Sequence, residues 1–221
     1  MKAFVAGATG ETGARIVTSL LKRNIPTTAL VRDEAIARAK LPSEVTLVQG
    51  DVTNAASLRQ AMVGCTVVLS ATGARPSFDP SGPYQVDYQG TKHLVDAARM
   101  AAVDHFVMVS SLCVSRFFHP LNLFWLVLYW KKLGEEYLQA SGLTYTIVRP
   151  GGLKNDDLDS RPLIMAPADT LFEGNIPRLK VAETCVEALF LPSAQDKIVE
   201  IVAQSQASPK SFEDLFTGVA P

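Results

Sequence analysis

The sequence predicts a single α/β domain in which a parallel sheet of about seven strands is covered by helices on both faces. Short apolar runs alternate with amphipathic stretches along the chain, a pattern typical of a parallel sheet buried between two helix layers. The length of 221 residues suits one domain, and 48% of the residues are hydrophobic, an ordinary share for a packed protein. No repeat, low-complexity tract or linker interrupts the sequence, so we expect one domain over residues 1–221.

The individual elements follow from apolar periodicity and from helix start signals. Ile16, Val17, Leu20 and Leu21 share one face of the first predicted helix, and Asn54 can cap the third. The predicted strands are residues 2–7, 27–31, 45–48, 66–71, 105–109, 144–148 and 197–203. The predicted helices are residues 12–23, 34–40, 55–62, 86–101, 128–140 and 181–191, with a helical turn at 212–216. The alternation is broken by a Gly- and Pro-rich segment at 72–84 and by an aromatic segment at 115–130, and such long loops commonly carry function.

Composition excludes several classes of function. The formal net charge of −1 gives no general attraction to nucleic acid or to an acidic membrane. Cys65, Cys113 and Cys185 are far apart, so their spacing predicts neither a metal site nor a disulfide framework, and a reducing compartment suits them. The first predicted strand leaves no room for a signal or transit peptide within this sequence. We therefore expect a cytoplasmic protein.

A glycine-rich turn joins the first predicted strand to the first predicted helix. Residues 7–13 read GATGETG, with the glycines spaced GxxGxxG. These glycines permit a tight turn, close approach of a pyrophosphate and close packing of helix on strand, and the helix start offers N–H groups to phosphates. In this position the motif predicts a Rossmann fold with a bound dinucleotide; the alternative is a tight turn without a ligand. The residues expected to contact the cofactor here are Gly7, Thr9, Gly10, Glu11, Thr12 and Gly13.

The residue after the second predicted strand indicates which dinucleotide binds. NAD-specific proteins usually carry Asp or Glu there, to hold the ribose 2′-hydroxyl. Here Arg32 occupies that position, and its planar guanidinium can hold a 2′-phosphate, so NADP(H) is the expected cofactor. The alternative is a surface arginine beside NAD. Asp33 is expected to cap the next helix, and Arg38 either adds charge to the site or lies on a solvated face.

Further cofactor contacts are predicted where other strands end. Asp51 can accept a hydrogen bond from the adenine amino group while Val52 packs on the ring; alternatively, Asp51 belongs to a turn that leads into the next helix. Glycine-containing turns after the fourth and sixth strands permit close approach of backbone to the cofactor, the second over the nicotinamide face. The residues expected in these contacts are Asp51, Val52, Ala71, Thr72, Gly73, Arg75, Ser110, Pro150, Gly151 and Gly152.

Several motifs together resemble the atypical short-chain dehydrogenase/reductase family with an NmrA-like, NAD(P)-binding domain, over nearly the whole chain. They are GATGETG at 7–13, GDV at 50–52, VSS at 109–111 and YTIVRPGGL at 145–153. The resemblance is stronger to a cyanobacterial and plastid branch, which includes the dehydrogenase-like domain of a chloroplast import-translocon subunit. It is similar, more distantly, to biliverdin-IXβ reductase, which is also a flavin reductase. The resemblance implies the plastid stroma as the compartment if a transit peptide has been removed.

The resemblance also implies a catalytic set, and one member is missing. The wider superfamily uses Ser, Tyr and Lys, with the lysine four residues after the tyrosine and four before a helix glutamate. Lys131 lies four residues before Glu135, but Val127 stands at the tyrosine position. Tyr129 is two residues out of phase, which on a helix is a rotation of about 200°. Ordinary carbonyl reduction is therefore not expected, whereas a flavin or a linear tetrapyrrole can take a hydride and then a proton from solvent.

Other polar residues have narrower expected roles. Ser111, with Ser110 as the alternate, is expected to hydrogen-bond the nicotinamide amide or the acceptor, and Lys131 either contacts the cofactor ribose or is a surface lysine. His119 is either a proton donor near neutral pH or an ordinary loop residue. Arg149 is expected to pair with a helix carboxylate such as Glu136.

The aromatic segment has three interpretations that the sequence leaves open. It forms a flat wall of an acceptor pocket, an exposed patch for a protein partner or a membrane surface, or part of the core. In the first case the acceptor site lies in the loops 72–84, 112–130 and 150–178, with Phe78, Phe117, His119 and Trp125 as substrate contacts. Three functions follow: an NADPH-dependent reductase of a flavin or bilin, an NADPH-binding redox sensor or scaffold with little turnover, and a carbonyl reductase with a displaced acid. We expect a monomer.

Overall fold

The predicted α/β fold is confirmed in a computed structural model that describes residues 1–74 and 77–220. The strands are β1 (Ala3–Ala6), β2 (Thr27–Val31), β3 (Thr46–Gln49), β4 (Val67–Ser70), β5 (His105–Val109), β6 (Tyr145–Pro150), β7 (Gly152–Lys154), β8 (Leu163–Pro167), β9 (Asn175–Pro177) and β10 (Lys197–Ala203). The helices are α1 (Glu11–Lys22), α2 (Glu34–Arg38), α3 (Ala55–Ala61), α4 (Thr91–Met100), α5 (Val127–Gln139), α6 (Arg178–Glu187) and α7 (Phe212–Thr217). No helix in these described ranges is long and apolar enough to cross a membrane.

The central sheet has one strand more than the sequence predicts. Within the described residues its order is β3-β2-β1-β4-β5-β6-β10-β8, and the seven predicted strands are all parallel. The additional strand, β8, pairs antiparallel with β10 at the sheet edge, and β7 and β9 form a separate two-stranded sheet. The sequence did not reveal β7, β8 and β9, because two of them have three residues and the third is an edge strand that ends at a proline.

The two faces of the sheet carry separate apolar cores. Along β1, Ala3 and Val5 point to the layer with α1 and α6, while Phe4 and Ala6 point to the layer with α3, α4 and α5. This alternation is the two-residue period of a strand, and both sets are fully buried because helices cover both faces. A strand buried on both sides is therefore a continuous apolar run in the sequence.

The long helix predicted at residues 86–101 has two parts. Residues Tyr84–Gly90 form a π-helical turn that leads directly into α4. A π turn is wider than an α turn, is rare, and is frequently found at functional sites. Apolar periodicity could not reveal it, because seven residues at the start of a helix are too few to distinguish a π period from an α period.

Arg149 on β6 is fully buried, and its partner differs from the expected Glu136. Its guanidinium donates from Nε and Nη2 to the two carboxylate oxygens of Glu135, at 3.0 and 2.7 Å. Nη1 donates to Glu200 on β10 at 3.3 Å and to Asp169 at 2.9 Å. Burial disfavours the charge, but hydrogen bonds and attraction from Glu135 and its neighbours outweigh it and raise the pKa of Arg149. Glu136 is excluded because it points outward, one residue further around α5.

This buried cluster also fixes a turn between β8 and β9. Glu200 is fully buried and accepts hydrogen bonds from three consecutive backbone N–H groups, residues 169–171, at 2.6 to 3.0 Å. Asp169 has a φ of +62°, a conformation that is costly without such support. The cluster thus joins α5, β6, β10 and the loop that follows β8.

We predict that Arg149→Met destabilises the protein by roughly 3–5 kcal/mol, since it leaves Glu135 and Glu200 buried without their cation. The matched control is Lys132→Met, which removes a partly exposed lysine 3.9 Å from the exposed Glu136 and should cost about 0–1 kcal/mol. Urea unfolding of both variants at neutral pH measures the difference. Equal free energies of unfolding for the two variants would contradict the claim that Arg149 neutralises the buried carboxylates of Glu135 and Glu200.

His105, at the start of β5, is buried and neutral. Its Nε2 lies 2.9 Å from the hydroxyl of Thr146, and that hydroxyl donates its own proton to the carbonyl of Ala194 at 2.7 Å. Nε2 must therefore carry the hydrogen. Burial lowers the pKa of His105 to about 4, against the weaker attraction of Asp196.

This burial predicts a loss of stability in mild acid. The pKa of His105 is about 4 in the folded state and roughly 6.5 in the unfolded chain, so its contribution is complete above pH 6.5 and is lost as the pH falls toward 4. The full loss corresponds to roughly 3 kcal/mol. His105→Asn retains an N–H donor and removes the titration, so its free energy of unfolding should fall less over this range. If the free energy of unfolding falls equally with pH in the variant and the parent, groups other than His105 dominate the loss of stability in acid.

Candidate dinucleotide and acceptor site

The glycine-rich turn brings three backbone segments into direct contact. Gly7 has a φ of +79°, and a Cβ there would lie 2.5 Å from the carbonyl oxygen of Ala71, at the end of β4. A Cβ on Gly13 would lie 2.1 Å from the carbonyl oxygen of Gly7. Any side chain at either position would therefore clash with backbone. Gly10 is the N-cap of α1 and has no side chain to satisfy the first N–H groups of that helix, so they face the space beyond the turn.

A groove of about 450 Å³ runs along the carboxyl ends of β1 to β4. It crosses the boundary between β1 and β4, where the strand order reverses and where open α/β sheets bind ligands. Most of the predicted cofactor contacts line this groove. They are Gly7, Thr9, Gly10, Arg32, Asp51, Val52, Ala71, Thr72 and Gly73. Glu11, Thr12 and Gly13 lie in the first turn of α1, beside it. Arg75 lies outside the described residues.

One end of the groove is formed by the ends of β2 and β3. Arg32 is exposed there and lines the groove, so its guanidinium is available to a ligand. Asp33 caps α2 as predicted, since its carboxylate accepts from the N–H of Ile36 at 3.0 Å. Asp51 accepts from both the N–H and the hydroxyl of Thr53 at 2.8 Å, so the turn after β3 is present, and Asp51 also lines the groove.

The other predicted polar residues lie at the ends of β5 and β6. The hydroxyl oxygen of Ser110 is buried and has no hydrogen-bond partner among the described residues, while Ser111 is half-buried. Such an unsatisfied group is rare in a folded protein and suits a site that a ligand completes. Gly151 also has a structural role. A Cβ there would lie 2.7 Å from the carbonyl oxygen of Gly174, so packing of the residue after β6 on the residue before β9 requires the glycine.

Lys131 is a partly buried lysine with a specific partner. Its Nζ donates to a carboxylate oxygen of Asp87, in the π turn, at 2.7 Å. Nothing in the sequence distinguishes Asp87, because an acid in a predicted amphipathic helix is usually a surface residue. Val127, at the position of the superfamily tyrosine, is half-buried. Tyr129 instead packs its ring against Trp130 at 5.1 Å and against Phe117 at 5.9 Å.

The aromatic segment is largely a surface feature. Phe118 is 97% exposed, and Phe117 and Phe124 are more than half exposed, which excludes the core interpretation for these residues. Phe117 and His119 line a second, shallow cavity of about 320 Å³, whose lining shares no residue with the groove. Phe78 is fully exposed in the other long loop.

Two hydrogen bonds fix how this segment lies on the domain. The indole N–H of Trp125 donates to the carbonyl of Ser77, which lines the groove, at 3.2 Å. Asn122 is buried and caps α5, since its side-chain oxygen accepts from the N–H groups of Leu128 and Tyr129 at 2.9 and 3.2 Å. The aromatic segment therefore borders the groove without enclosing it.

The groove fits a dinucleotide on structural grounds. The glycine turn leaves no space for side chains where a pyrophosphate would approach, the N–H groups of α1 face that position, and a cation stands where a 2′-phosphate would lie. The groove has room for such a ligand, and binding clefts of several hundred Å³ are usual.

Curated relatives match almost the entire chain. An uncharacterized chloroplastic protein of Arabidopsis thaliana is 45% identical over 99% of this chain and 82% of its own length. Chloroplastic protein TIC 62 of Pisum sativum is 37% identical over 98% of this chain, which spans 45% of that protein. Sanguinarine reductase of Eschscholzia californica is 30% identical over 98% of this chain and 95% of its own length.

Solved structures share the fold at low sequence identity. ChuY, an anaerobillin reductase from Escherichia coli O157:H7, superposes with a TM-score of 0.77 at 23% identity, over 95% of this chain and 100% of that one. A short-chain dehydrogenase/reductase from Veillonella parvula in complex with NADP has a TM-score of 0.73 at 18% identity, over 95% and 98% of the two chains. The model of an NAD(P)H-binding family matches residues 7–192. The chain therefore belongs to the NAD(P)H-binding, NmrA-like family of Rossmann-fold proteins.

Proposed function

We propose that the chain is an NADPH-dependent reductase of a planar conjugated acceptor, a flavin or a linear tetrapyrrole. The observation that carries the proposal is a groove with Arg32 at one end and Gly73 at the other, where Lys131 lies beside Gly73 but Val127 replaces the tyrosine. Sanguinarine reductase, similar over nearly its full length, and the ChuY fold support reduction as the reaction class. The chloroplastic relatives favour the plastid stroma, the second of the two compartments considered above.

The preference for NADPH is proposed from Arg32. The guanidinium lies at the end of β2, the position from which an acid would repel a 2′-phosphate and hydrogen-bond a free 2′-hydroxyl. An arginine reverses both effects, because its planar fork donates to phosphate oxygens and carries a permanent charge.

When bound, NADPH supplies a hydride. The residues of this chain then have three tasks. The glycine turn and α1 hold the pyrophosphate, Lys131 contacts the nicotinamide ribose, and Ser111 or Ser110 orients the nicotinamide amide or the acceptor. Val127 cannot donate a proton, so the acceptor must delocalise the arriving charge and take its proton from water, as conjugated nitrogens allow.

The acceptor is proposed to bind between the loops 72–84, 112–130 and 150–178. Trp125 and Ser77 join the first two of these loops beside the groove. Phe78 and Phe117 present exposed aromatic faces on which a planar ring can stack. His119 is half-buried, lines the same shallow cavity as Phe117, and is the proposed proton donor of that segment.

A second candidate function is NADPH sensing without turnover. The exposed aromatic residues favour it, because a patch of this kind on a soluble domain commonly marks a contact with a protein or a membrane surface. In this case cofactor binding would regulate the contact, and the missing tyrosine would carry no catalytic cost.

We predict that Arg32→Glu reverses the cofactor preference. Loss of the cation and gain of a carboxylate should weaken NADPH binding by about 100-fold or more, since charge-assisted hydrogen bonds contribute about 1.5–3 kcal/mol and repulsion is added. NADH binding should change by less than about threefold. Fluorescence titration with both nucleotides measures this, with Arg38→Glu, exposed on α2, as the matched control. Parent protein that binds NADH as tightly as NADPH would contradict the assignment.

We predict that the protein oxidises NADPH when FMN, FAD and biliverdin are offered in turn. The loss of near-ultraviolet NADPH absorbance measures this reaction. Phe117→Ala and Trp125→Ala should then raise the acceptor KM by roughly two- to tenfold, since stacking on one aromatic face is worth about 0.5–1.5 kcal/mol. NADPH affinity should be unaffected. Phe190→Ala, an exposed aromatic at the opposite layer, is the control. Saturable NADPH binding without turnover of any acceptor would exclude the reductase and leave the sensor.

A further inference from the structure

The carboxylate of Asp87 is fully buried next to the groove, and none of the roles described above uses it. We infer that Asp87 is a positioning residue, which holds the Lys131 ammonium and the Gly73–Ala74 backbone together against the nicotinamide half of the dinucleotide. The inference rests on the proposed function only for the orientation of the dinucleotide in the groove. It concerns binding, and it does not depend on which acceptor is reduced.

Both carboxylate oxygens of Asp87 have a partner at the groove. Oδ1 accepts from Lys131 Nζ at 2.7 Å, and Oδ2 accepts from the backbone N–H of Ala74 at 3.2 Å. A Cβ placed on Gly73 would lie 3.6 Å from Lys131 Nζ and 3.7 Å from Asp87 Oδ1. A side chain at Gly73 would therefore touch the ion pair, and one carboxylate contacts both the backbone of the loop, through Ala74, and the cation.

The local fold explains why the pair meets here. The π turn places the carbonyl of Asp87 where the hydroxyl of Thr91 donates to it at 2.8 Å. Gly134 of α5 packs on the same carbonyl, where a Cβ would be only 2.8 Å away. Lys131 precedes Gly134 by three residues and so lies on the same face of α5, directly over the π turn. The wide turn and the glycine together bring the two elements close enough for a direct ion pair.

Burial makes the two charges interdependent. The side chain of Asp87 has no exposed surface, while that of Lys131 is 15% exposed toward solvent. A buried carboxylate without its cation is costly, so Asp87 keeps Lys131 at this position instead of allowing it to extend into water. An ammonium has three N–H donors, and Asp87 occupies one of them. The remaining donors can serve the hydroxyl groups of a ribose.

The sheet order indicates which half of the cofactor this is. Arg32 and Asp51 follow β2 and β3, on one side of the glycine turn, and bind the adenosine half in the proposed orientation. Gly73 follows β4, on the other side, together with the ends of β5 and β6. A dinucleotide that crosses the switch point therefore places its nicotinamide riboside beside Gly73 and Lys131.

The test compares two ligands by calorimetric titration, without any acceptor. NADPH has both halves, whereas 2′,5′-ADP has only the adenosine half with its phosphates. Asp87→Asn and Lys131→Met should each weaken NADPH about tenfold, and the double variant hardly more than either, because the two side chains act as a unit. Affinity for 2′,5′-ADP should stay within about twofold. The control Lys132→Met removes the neighbouring lysine, which is paired with Glu136 away from Asp87, and should change neither affinity.

A purely structural role for Asp87 would weaken both ligands equally, and that result would overturn the inference. Unchanged NADPH affinity in Lys131→Met would overturn it as well. If Asp87→Asn does not fold, the NADPH affinities of Lys131→Met and Lys131→Arg test the inference. Lys131→Arg retains a cation that Asp87 can hold, so it should recover most of the NADPH affinity that Lys131→Met loses. Absence of turnover in the parent protein would refute the proposed reductase but leave these binding results intact.

Discussion

The arrangement of the site depends on backbone contacts at the glycine turn. At Gly7 and Gly13 there is no space for even one side-chain carbon, because the carbonyl groups of Ala71 and of Gly7 itself already fill it. These contacts hold β1, the start of α1 and the end of β4 in one position. The N–H groups of α1 consequently face the groove at the point where the strand order reverses. A cation after β2 and an ion pair behind β4 then lie on opposite sides of this fixed centre.

Helix α5 connects the site to the core through two residues one turn apart. Lys131 reaches the π turn and Asp87, while Glu135 reaches Arg149 between β6 and β10. Both pairs are largely excluded from water, so each charge requires its partner, and together they fix the rotation of α5 about its axis. The spacing of four residues between Lys131 and Glu135, which the sequence offered only as a family resemblance, thus has a physical basis in this fold.

The sequence predicted elements that depend on local chemistry and missed those that depend on tertiary partners. The buried strands and the caps at Asp33 and Asn54 follow from residue type and periodicity, and the structure confirms them. The partner of Arg149 is set by which α5 residue faces β6, so a choice between Glu135 and Glu136 required the helix phase. Strands β7 and β9 have three residues each, too few to show a periodicity, and each is stabilised by pairing with the other.

The same phase argument bears on the chemistry of the site. A tyrosine four residues before Lys131 would lie on the face of α5 that packs toward the groove, but that position holds Val127. Tyr129 is rotated by about 200° and packs its ring against Trp130. Sliding the helix to recover the phenol would move Lys131 away from Asp87 and Glu135 from Arg149, at the expense of two buried ion pairs. The fold therefore keeps Lys131 beside the groove and Tyr129 away from the position of the acid, which under the proposed function restricts reduction to acceptors that stabilise the incoming charge themselves.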